Sequence, residues 1–490
     1  MPVSFRMLAA TAVAAAAMTV PFFGAVATAA AHAGAAPRPG LTAAPIILAS
    51  NTTLAGGYDA ATTAAGTTYI AWLGDTGTGR IVHLCVLPAG AAACSGGVQS
   101  TPSLGTSSAA GMRVILTPGG KVTLVWSHDT VKSGSGPENS KIATATVQNG
   151  TLSAAHDQEP APSFGTLMDA APGPGGSIWT VSQPLDAESL QVTPGFGGKQ
   201  VNLALPYLPG SAQLAFSGST AVLAIQQAGT ITQPISYASE QGGKWTAFKQ
   251  LANTWTGAAN LGLAQTTSGI RVLASVDNSD YSPVVSRWTG SSFSPRELTG
   301  GNGSCAPSSH DPVADASGRM ADISNECEDV AVANLTDTLH AAVVRFPSGG
   351  TIGGGEPQLA TAPRGHGWAV WSIEVSTGGD KLLAGPVLLP GRAVSAQAAG
   401  QGNQVRLTGA ASCLPPVGIP VKVAGTPATG WTVTSSGLAL DGTALSGTTL
   451  DGSALTAGTS HTLTGTVTFS KGGTHLPVTA TLKFTSCPNP

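Results

Sequence analysis

Charged residues are scarce in this chain of 490 residues, at 10%, and the formal net charge at pH 7 is only −3. Proteins that bind nucleic acid or anionic membranes use a basic surface that neutralises phosphate groups. With so few charges and a pI near 6.3, the sequence offers no such surface. We therefore expect neither nucleic acid nor an anionic membrane as the main partner.

The sequence also lacks an internal segment with the apolar 3.6-residue period of an amphipathic helix. It is instead rich in turn formers, with 64 glycines and 34 prolines, while 42% of its residues are hydrophobic and can support a core. Short strands joined by many turns have this composition. The sequence therefore predicts an all-β fold.

The familiar catalytic motifs are missing as well. We find no Gly-x-Ser-x-Gly nucleophile elbow, no His-Glu-x-x-His zinc motif and no phosphate-binding loop. The Asp boxes and arginine triad of sialidases are absent, and the Gly-His and Trp-Asp pairs that WD40 proteins show at each blade do not recur here. An enzymatic activity is therefore left open, and the balance favours a protein that is not an enzyme.

The N-terminus has the pattern of a secretory signal peptide. Arg6 precedes an apolar run over residues 7–27, and Ala-x-Ala signals follow at Ala29 to Ala33. We predict a signal peptide at 1–33 and a Pro/Ala linker at 34–44; the alternative is an N-terminal membrane anchor. No other segment could cross a bilayer, so we predict a secreted protein without a membrane span after cleavage.

Six cysteines follow, an even number that suits an oxidising compartment. Fifteen connectivities are possible, and proximity in the sequence favours the pairs Cys85–Cys94, Cys305–Cys327 and Cys413–Cys487. The Cys and His spacing of a metal site is absent.

A glycine-led hydrophobic strand returns seven times. The glycines are 42 to 56 residues apart, and they are Gly66, Gly120, Gly176, Gly218, Gly269, Gly318 and Gly365. A β-rich repeat of about 50 residues is the pattern of a β-propeller. We predict a propeller of about seven blades, with six as the alternative count, over residues 45–389, in which the run after Pro45 completes the last blade.

Three repeats carry an aspartate seven residues before the glycine: Asp59, Asp169 and Asp311. Because this position begins the innermost strand, the three carboxylates are expected to converge at one end of the central channel. They are candidates for acid and base roles in catalysis or for a Ca²⁺ site, although we expect no cofactor to be required. The alternative, which we favour, is that each aspartate caps its own turn.

Three repeats end their second strand with a tryptophan: Trp72, Trp126 and Trp371. These residues could form an aromatic arc that stacks on sugars. Large aromatic residues at a repeated strand end are more often part of the core between blades, and we favour that interpretation.

Beyond about residue 393 the composition changes, and alternating strands replace the repeat. Residues 393–490 are predicted to form an immunoglobulin-like β-sandwich, and GLALDGTALSG (437–447) resembles an Ig-like domain of bacterial surface proteins.

Taken together, the signal, the repeats and the C-terminal strands resemble secreted, actinobacterial-looking propeller proteins of the broad sialidase-like or WD40-like group. The resemblance implies a fold and a compartment. We expect an extracellular binding or scaffold protein that recognises a glycan or a protein through its propeller face. The alternative is a secreted carbohydrate-active enzyme, a hydrolase or lyase, that uses the aspartates at the channel mouth.

Overall fold

The computed structural model describes residues 45–486 with gaps. The gaps are residues 76–79, 90, 105–108, 130–139, 161–165, 185–187, 228–234, 252–260, 267–268, 278–281, 295–296, 299–309, 315–319, 327–328, 335–341, 348–355, 362–365, 376–377, 389–393, 411–412, 415–418, 451–454 and 457–458. The predicted signal and linker therefore lie outside the described residues, and the predicted domain boundaries stay predictions.

The regular secondary structure of the described residues is almost entirely β-strand. The first two units, of four and five strands, consist of β1 (Ile46–Thr62), β2 (Thr68–Asp75), β3 (Arg80–Leu87), β4 (Gln99–Pro102), β5 (Ala109–Leu116), β6 (Val122–Asp129), β7 (Ser140–Gln148), β8 (Thr151–Leu152) and β9 (His156–Pro160). In unit two, β8 and β9 both pair with β7.

Units three and four follow in the same antiparallel order. Their strands are β10 (Thr166–Pro172), β11 (Ile178–Gln183), β12 (Ser189–Thr193), β13 (Val201–Ala204), β14 (Pro209–Ser217), β15 (Thr220–Gln227), β16 (Ile235–Gln241), β17 (Lys244–Trp245) and β18 (Lys249–Gln250). A short 3₁₀ turn, Pro174–Gly176, joins β10 to β11.

Units five, six and seven complete the series. Their strands are β19 (Gly262–Thr266), β20 (Gly269–Asp277), β21 (Ser282–Arg287), β22 (Glu297–Leu298), β23 (His310–Ala314), β24 (Met320–Glu326), β25 (Asp329–Asn334), β26 (Ala342–Pro347), β27 (Gln358–Thr361), β28 (His366–Glu374) and β29 (Asp380–Leu388).

Strand β1 belongs to two units at once. Its first half pairs with β29, with Ile46 opposite Ala384, and so supplies the outer strand of unit seven. Its second half pairs with β2 as the innermost strand of unit one. Each innermost strand contacts the next one, and β27 contacts β1, so the series closes on itself. This is the closure predicted for the run after Pro45, and the fold is a β-propeller.

The hydrophobic cores lie between neighbouring units. One joins Leu73 and Leu84 of unit one to Val114 and Leu124 of unit two. Others join units three and four, units six and seven, and units seven and one. Packing between units, rather than within one, therefore holds each sheet in place.

A second group of strands forms a β-sandwich. They are β30 (Val394–Gly400), β31 (Asn403–Ala410), β32 (Cys413–Leu414), β33 (Ile419–Pro420), β34 (Lys422–Thr426), β35 (Thr432–Leu440), β36 (Thr443–Ala444), β37 (Thr449–Leu450), β38 (Ser460–Lys471) and β39 (Thr474–Ser486). The β30-β31-β34 sheet packs on the β32-β39-β38-β35-β36 sheet through Leu407, Leu463, Val467 and Phe469. No helix in the part of the chain that is described is long and apolar enough to span a membrane.

Candidate functional site

The three aspartates hold the same position in their units. Asp59 lies opposite Ala71, Asp169 opposite Val181 and Asp311 opposite Ile323, and each of these partners stands five residues after the glycine of its unit. All three aspartates belong to innermost strands: β1, β10 and β23. The repeat glycines therefore give a correct backbone register for these positions.

The innermost strands surround a pocket of about 310 Å³. Among the described residues, its polar lining side chains include Asp59, Arg113, Asp169, Gln213, Asp311, Glu356 and Gln358. Strands from at least six units contribute to the lining. The structure thus brings the three sequence-predicted aspartates into one pocket.

Each aspartate is also hydrogen-bonded to the next unit. The Oδ2 atom accepts a backbone N–H from Val114 at 2.6 Å for Asp59, from Leu214 at 2.6 Å for Asp169 and from Leu359 at 2.7 Å for Asp311. Asp59 also accepts, through Oδ1, the backbone N–H of the next residue on its own strand, Ala60, at 2.8 Å. The aspartates therefore join neighbouring units, which a turn-capping role alone does not do.

Arg113 is a pocket residue that the comparison of repeats did not predict, because its residue type is not repeated among the units. Its Nε donates to Asp169 Oδ1 at 2.8 Å, its Nη1 to Met112 O at 2.9 Å and its Nη2 to Met168 O at 2.8 Å. The guanidinium therefore connects unit two to unit three. Arg113 stands seven residues before Gly120, so the same count that aligned the aspartates could have found it.

Burial dominates the electrostatics of the pocket. It raises the pKa of Asp59 to about 6, an effect that the Arg113 charge opposes and the Asp169 charge adds to. Burial also raises the pKa of Asp169, again against the lowering effect of Arg113. For Arg113, burial acts to lower the pKa, but the carboxylates of Asp169 and Asp59 outweigh it and the net shift is upward. The arginine is therefore charged at neutral pH.

The Ca²⁺ site at Asp59, Asp169 and Asp311 stays a prediction. Calcium takes six to eight oxygen ligands, mainly from carboxylates and carbonyls. Here the guanidinium of Arg113 lies against Asp169, so one of the three candidate carboxylates is already paired with a cation. Among the described residues, no three His, Cys, Asp or Glu side chains form a group that could hold a metal. We therefore derive no step through a bound metal.

The three tryptophans lie in the cores between units. Trp72 is 2% exposed, and Trp126 and Trp371 are 0% exposed. Trp126 Nε1 donates to Ser103 O at 2.8 Å, and Trp371 packs on Phe346. A sugar cannot stack on an indole that is covered on both faces, so these positions fit the core interpretation rather than an aromatic arc.

One of the three predicted disulfides lies within the described side chains. Cys85 and Cys94 are bonded, with their Cα atoms 5.2 Å apart. Cys305, Cys327 and Cys487 lie outside the described residues. The backbone of Cys413 pairs with Thr485, two residues before Cys487. The second and third pairs stay predictions.

No protein-family model and no curated protein matches the sequence. Several solved structures resemble the chain at low identity. A protein from Dyadobacter fermentans described as of unknown function is 10% identical, with a TM-score of 0.41, over 72% of this chain and 99% of its own.

Two further structures are described as carbohydrate-active. An ulvan lyase, a polysaccharide lyase bound to a saccharide, is 12% identical over 70% of this chain and 96% of its own, with a TM-score of 0.43. The NanB sialidase of Streptococcus pneumoniae is 8% identical over 70% of each chain, with a TM-score of 0.41. At these identities and TM-scores the similarity does not establish a function for this chain.

Proposed function

We propose that this protein is a secreted binding protein whose propeller holds a small glycan unit in the central pocket. The observation that supports this most directly is the pocket itself, about 310 Å³ in volume and lined by carboxylate, amide and guanidinium groups from several units. Pockets of roughly 300–1,000 Å³ are typical of small-molecule sites. A protein partner would need a broad surface instead, so the pocket favours a glycan.

The lining chemistry suits hydroxyl groups. Carboxylates accept hydrogen bonds from hydroxyls, while the amides of Gln213 and Gln358 can both donate and accept. The backbone bonds leave acceptor capacity on the aspartates, because each carboxylate has about four lone-pair sites. Binding would therefore depend on hydrogen bonds from a rigid ring of strands.

The extracellular location is part of the same proposal. The predicted signal peptide supports it, and the Cys85–Cys94 disulfide suits an oxidising compartment. Expression with the native leader and N-terminal sequencing of the exported chain would test it. Retention of residues 1–33 in a membrane fraction would favour the anchor instead.

The binding proposal is tested with a glycan array and with calorimetry on the ligands that the array identifies. We expect retention of a defined glycan class, loss of that binding in Gln213→Ala, and unchanged binding in Glu240→Gln. Glu240 lies on the β16–β17 hairpin, outside the pocket lining, and glutamine keeps an oxygen that can accept the N–H of Gly243. Equal binding by both variants would place the ligand elsewhere.

A second candidate is a carbohydrate-active enzyme. The raised pKa of Asp59, about 6, beside a second buried carboxylate is the specific observation that favours it, because a carboxyl group with such a pKa can donate a proton near neutral pH. Incubation of the same glycans with the protein, followed by detection of new reducing ends or unsaturated products, separates an enzyme from a binding protein. Turnover that Asp59→Asn abolishes without a loss of folding would favour the enzyme.

A further inference from the structure

Asp59 and Asp169 line the same pocket, but among the described residues only Asp169 of these two has an ion-pair partner. The guanidinium of Arg113 donates through Nε to Asp169 at 2.8 Å. Asp59 receives the backbone N–H groups of Ala60 and Val114, and no cationic group of the described residues lies within 4.0 Å of its carboxylate. The two carboxylates therefore share one cation unequally.

The arginine is also engaged by the protein. Each of its three nitrogens donates to a protein oxygen, of Asp169, Met112 or Met168, which uses three of its five N–H groups. Its charge also acts on Asp59, but its ion pair is with Asp169. An acidic sugar that brought a carboxylate toward Asp59 would therefore meet a like charge, while the described cation that acts on Asp59 is already paired with Asp169, and like charges at short range repel.

The electrostatic balance of the pocket agrees with this geometry. Burial raises the pKa values of both Asp59 and Asp169 although Arg113 acts to lower them. One guanidinium thus does not compensate two carboxylates in this environment. A second positive charge near Asp59 would stabilise its ionised form, and this is the charge that the described residues do not supply.

We propose that the pocket ligand carries a positively charged group, such as the ammonium of a deacetylated amino sugar, and that Asp59 accepts a charge-assisted hydrogen bond from it. This inference rests on the proposed glycan-binding function and names the class of glycan. The hydroxyl groups of the same sugar would contact the amides of Gln213 and Gln358, which line the pocket with Asp59. Neutral and acidic sugars would bind less tightly.

The test uses short oligosaccharides of equal length in the amine, N-acetyl and uronate forms, in both the glucose and galactose series. Calorimetry on the full-length exported protein measures each affinity near neutral pH. We expect the amine form to bind at least about tenfold more tightly than the other two, because hydrogen bonds to an ionised group are about twice as strong as neutral ones. Asp59→Asn should remove this preference and leave weak binding of all three forms.

Asparagine keeps an oxygen that can accept the N–H of Val114, so the variant preserves the link to unit two. If the variant nevertheless does not fold, the wild-type protein provides the second measurement. The preference for the amine form should disappear as the pH falls below about 6, where Asp59 becomes protonated and the amine stays charged.

Two results would overturn the inference in different ways. Equal or tighter binding of the N-acetyl or uronate form contradicts the charge preference and leaves glycan binding intact. Absence of binding by every member of both series contradicts the inference and the proposed function together.

Discussion

The carboxylate of Asp169 accepts the backbone N–H of Leu214 at 2.6 Å across a sequence separation of 45 residues. Its other oxygen accepts Arg113 Nε from the preceding unit. One buried side chain therefore connects three successive units of the propeller. Asp59 and Asp311 repeat the forward half of this arrangement, from unit one to unit two and from unit six to unit seven.

Replacement of Asp169 by alanine should strongly destabilise the propeller. The change leaves the N–H of Leu214 and the guanidinium of Arg113 without their partner, and the two side chains of the ion pair are 6% and 24% exposed. We expect the free energy of unfolding to fall by about 3 kcal/mol. Denaturant unfolding followed by fluorescence measures it.

The matched control for that change is Lys141→Ala, which removes the exposed partner of Asp157. A surface pair contributes at most about 1 kcal/mol, so this variant should unfold near the wild-type midpoint. Similar decreases in unfolding free energy in both variants would show that Asp169 stabilises the protein no more than a surface ion pair does.

The stability of the protein should depend on pH through the titration of Asp59. Folding raises its pKa from 3.8 to about 6, so the native state holds the proton more tightly than the unfolded chain. The stabilisation is complete below the unfolded pKa and is lost as pH rises through about 6. Arg113 and Asp169, from β5 and β10, are the charged groups that act on it.

The measurement compares the wild type with Asp59→Asn by urea unfolding between about pH 4 and pH 8. As the pH rises over this range, the unfolding free energy of the wild type should fall, relative to that of Asp59→Asn, by on the order of 2 kcal/mol. If the unfolding free energies of the two proteins differ by the same amount at every pH, Asp59 titrates at its ordinary value.

Truncation of a buried tryptophan should act on stability. Trp126→Ala removes a fully buried ring and its bond to Ser103 O, and should cost about 3–5 kcal/mol. Trp126→Phe should recover much of this loss. Glycan affinity per folded molecule should be the same in the phenylalanine variant as in the wild type. A selective loss of glycan binding with normal unfolding would instead restore the aromatic-arc hypothesis.

The Cys85–Cys94 disulfide closes a short loop with a sequence separation of 9. Because short loops lose little entropy on closure, its removal should cost about 2 kcal/mol. Thermal unfolding of the Cys85→Ala/Cys94→Ala variant measures this directly. The loss should be seen in the unfolding of the propeller, since Cys85 is buried in the core between units seven and one. An unchanged midpoint would mean that this core alone holds the loop.

The repeat glycines predicted more of the site than any single motif did. They placed Asp59, Asp169 and Asp311 in one register, and the strand pairing of β1, β10 and β23 agrees. Arg113 escaped because only one unit carries an arginine at this position, so no repeated residue type pointed to it. The acceptor roles of the aspartates had no sequence signal at all, because their partners are backbone N–H groups and any residue type can supply one.

The pairing of strand β1 with β29 affects the order in which the propeller folds. The first half of β1 pairs with β29, and Leu54 N–H donates to Asp380 across a separation of 326 residues. During synthesis this segment emerges long before its partner, which follows near the end of the propeller. Contacts of such separation form slowly, because a long loop must close before they gain any energy. We expect closure to be the last folding step, with an open and protease-sensitive intermediate whose first strand has no partner.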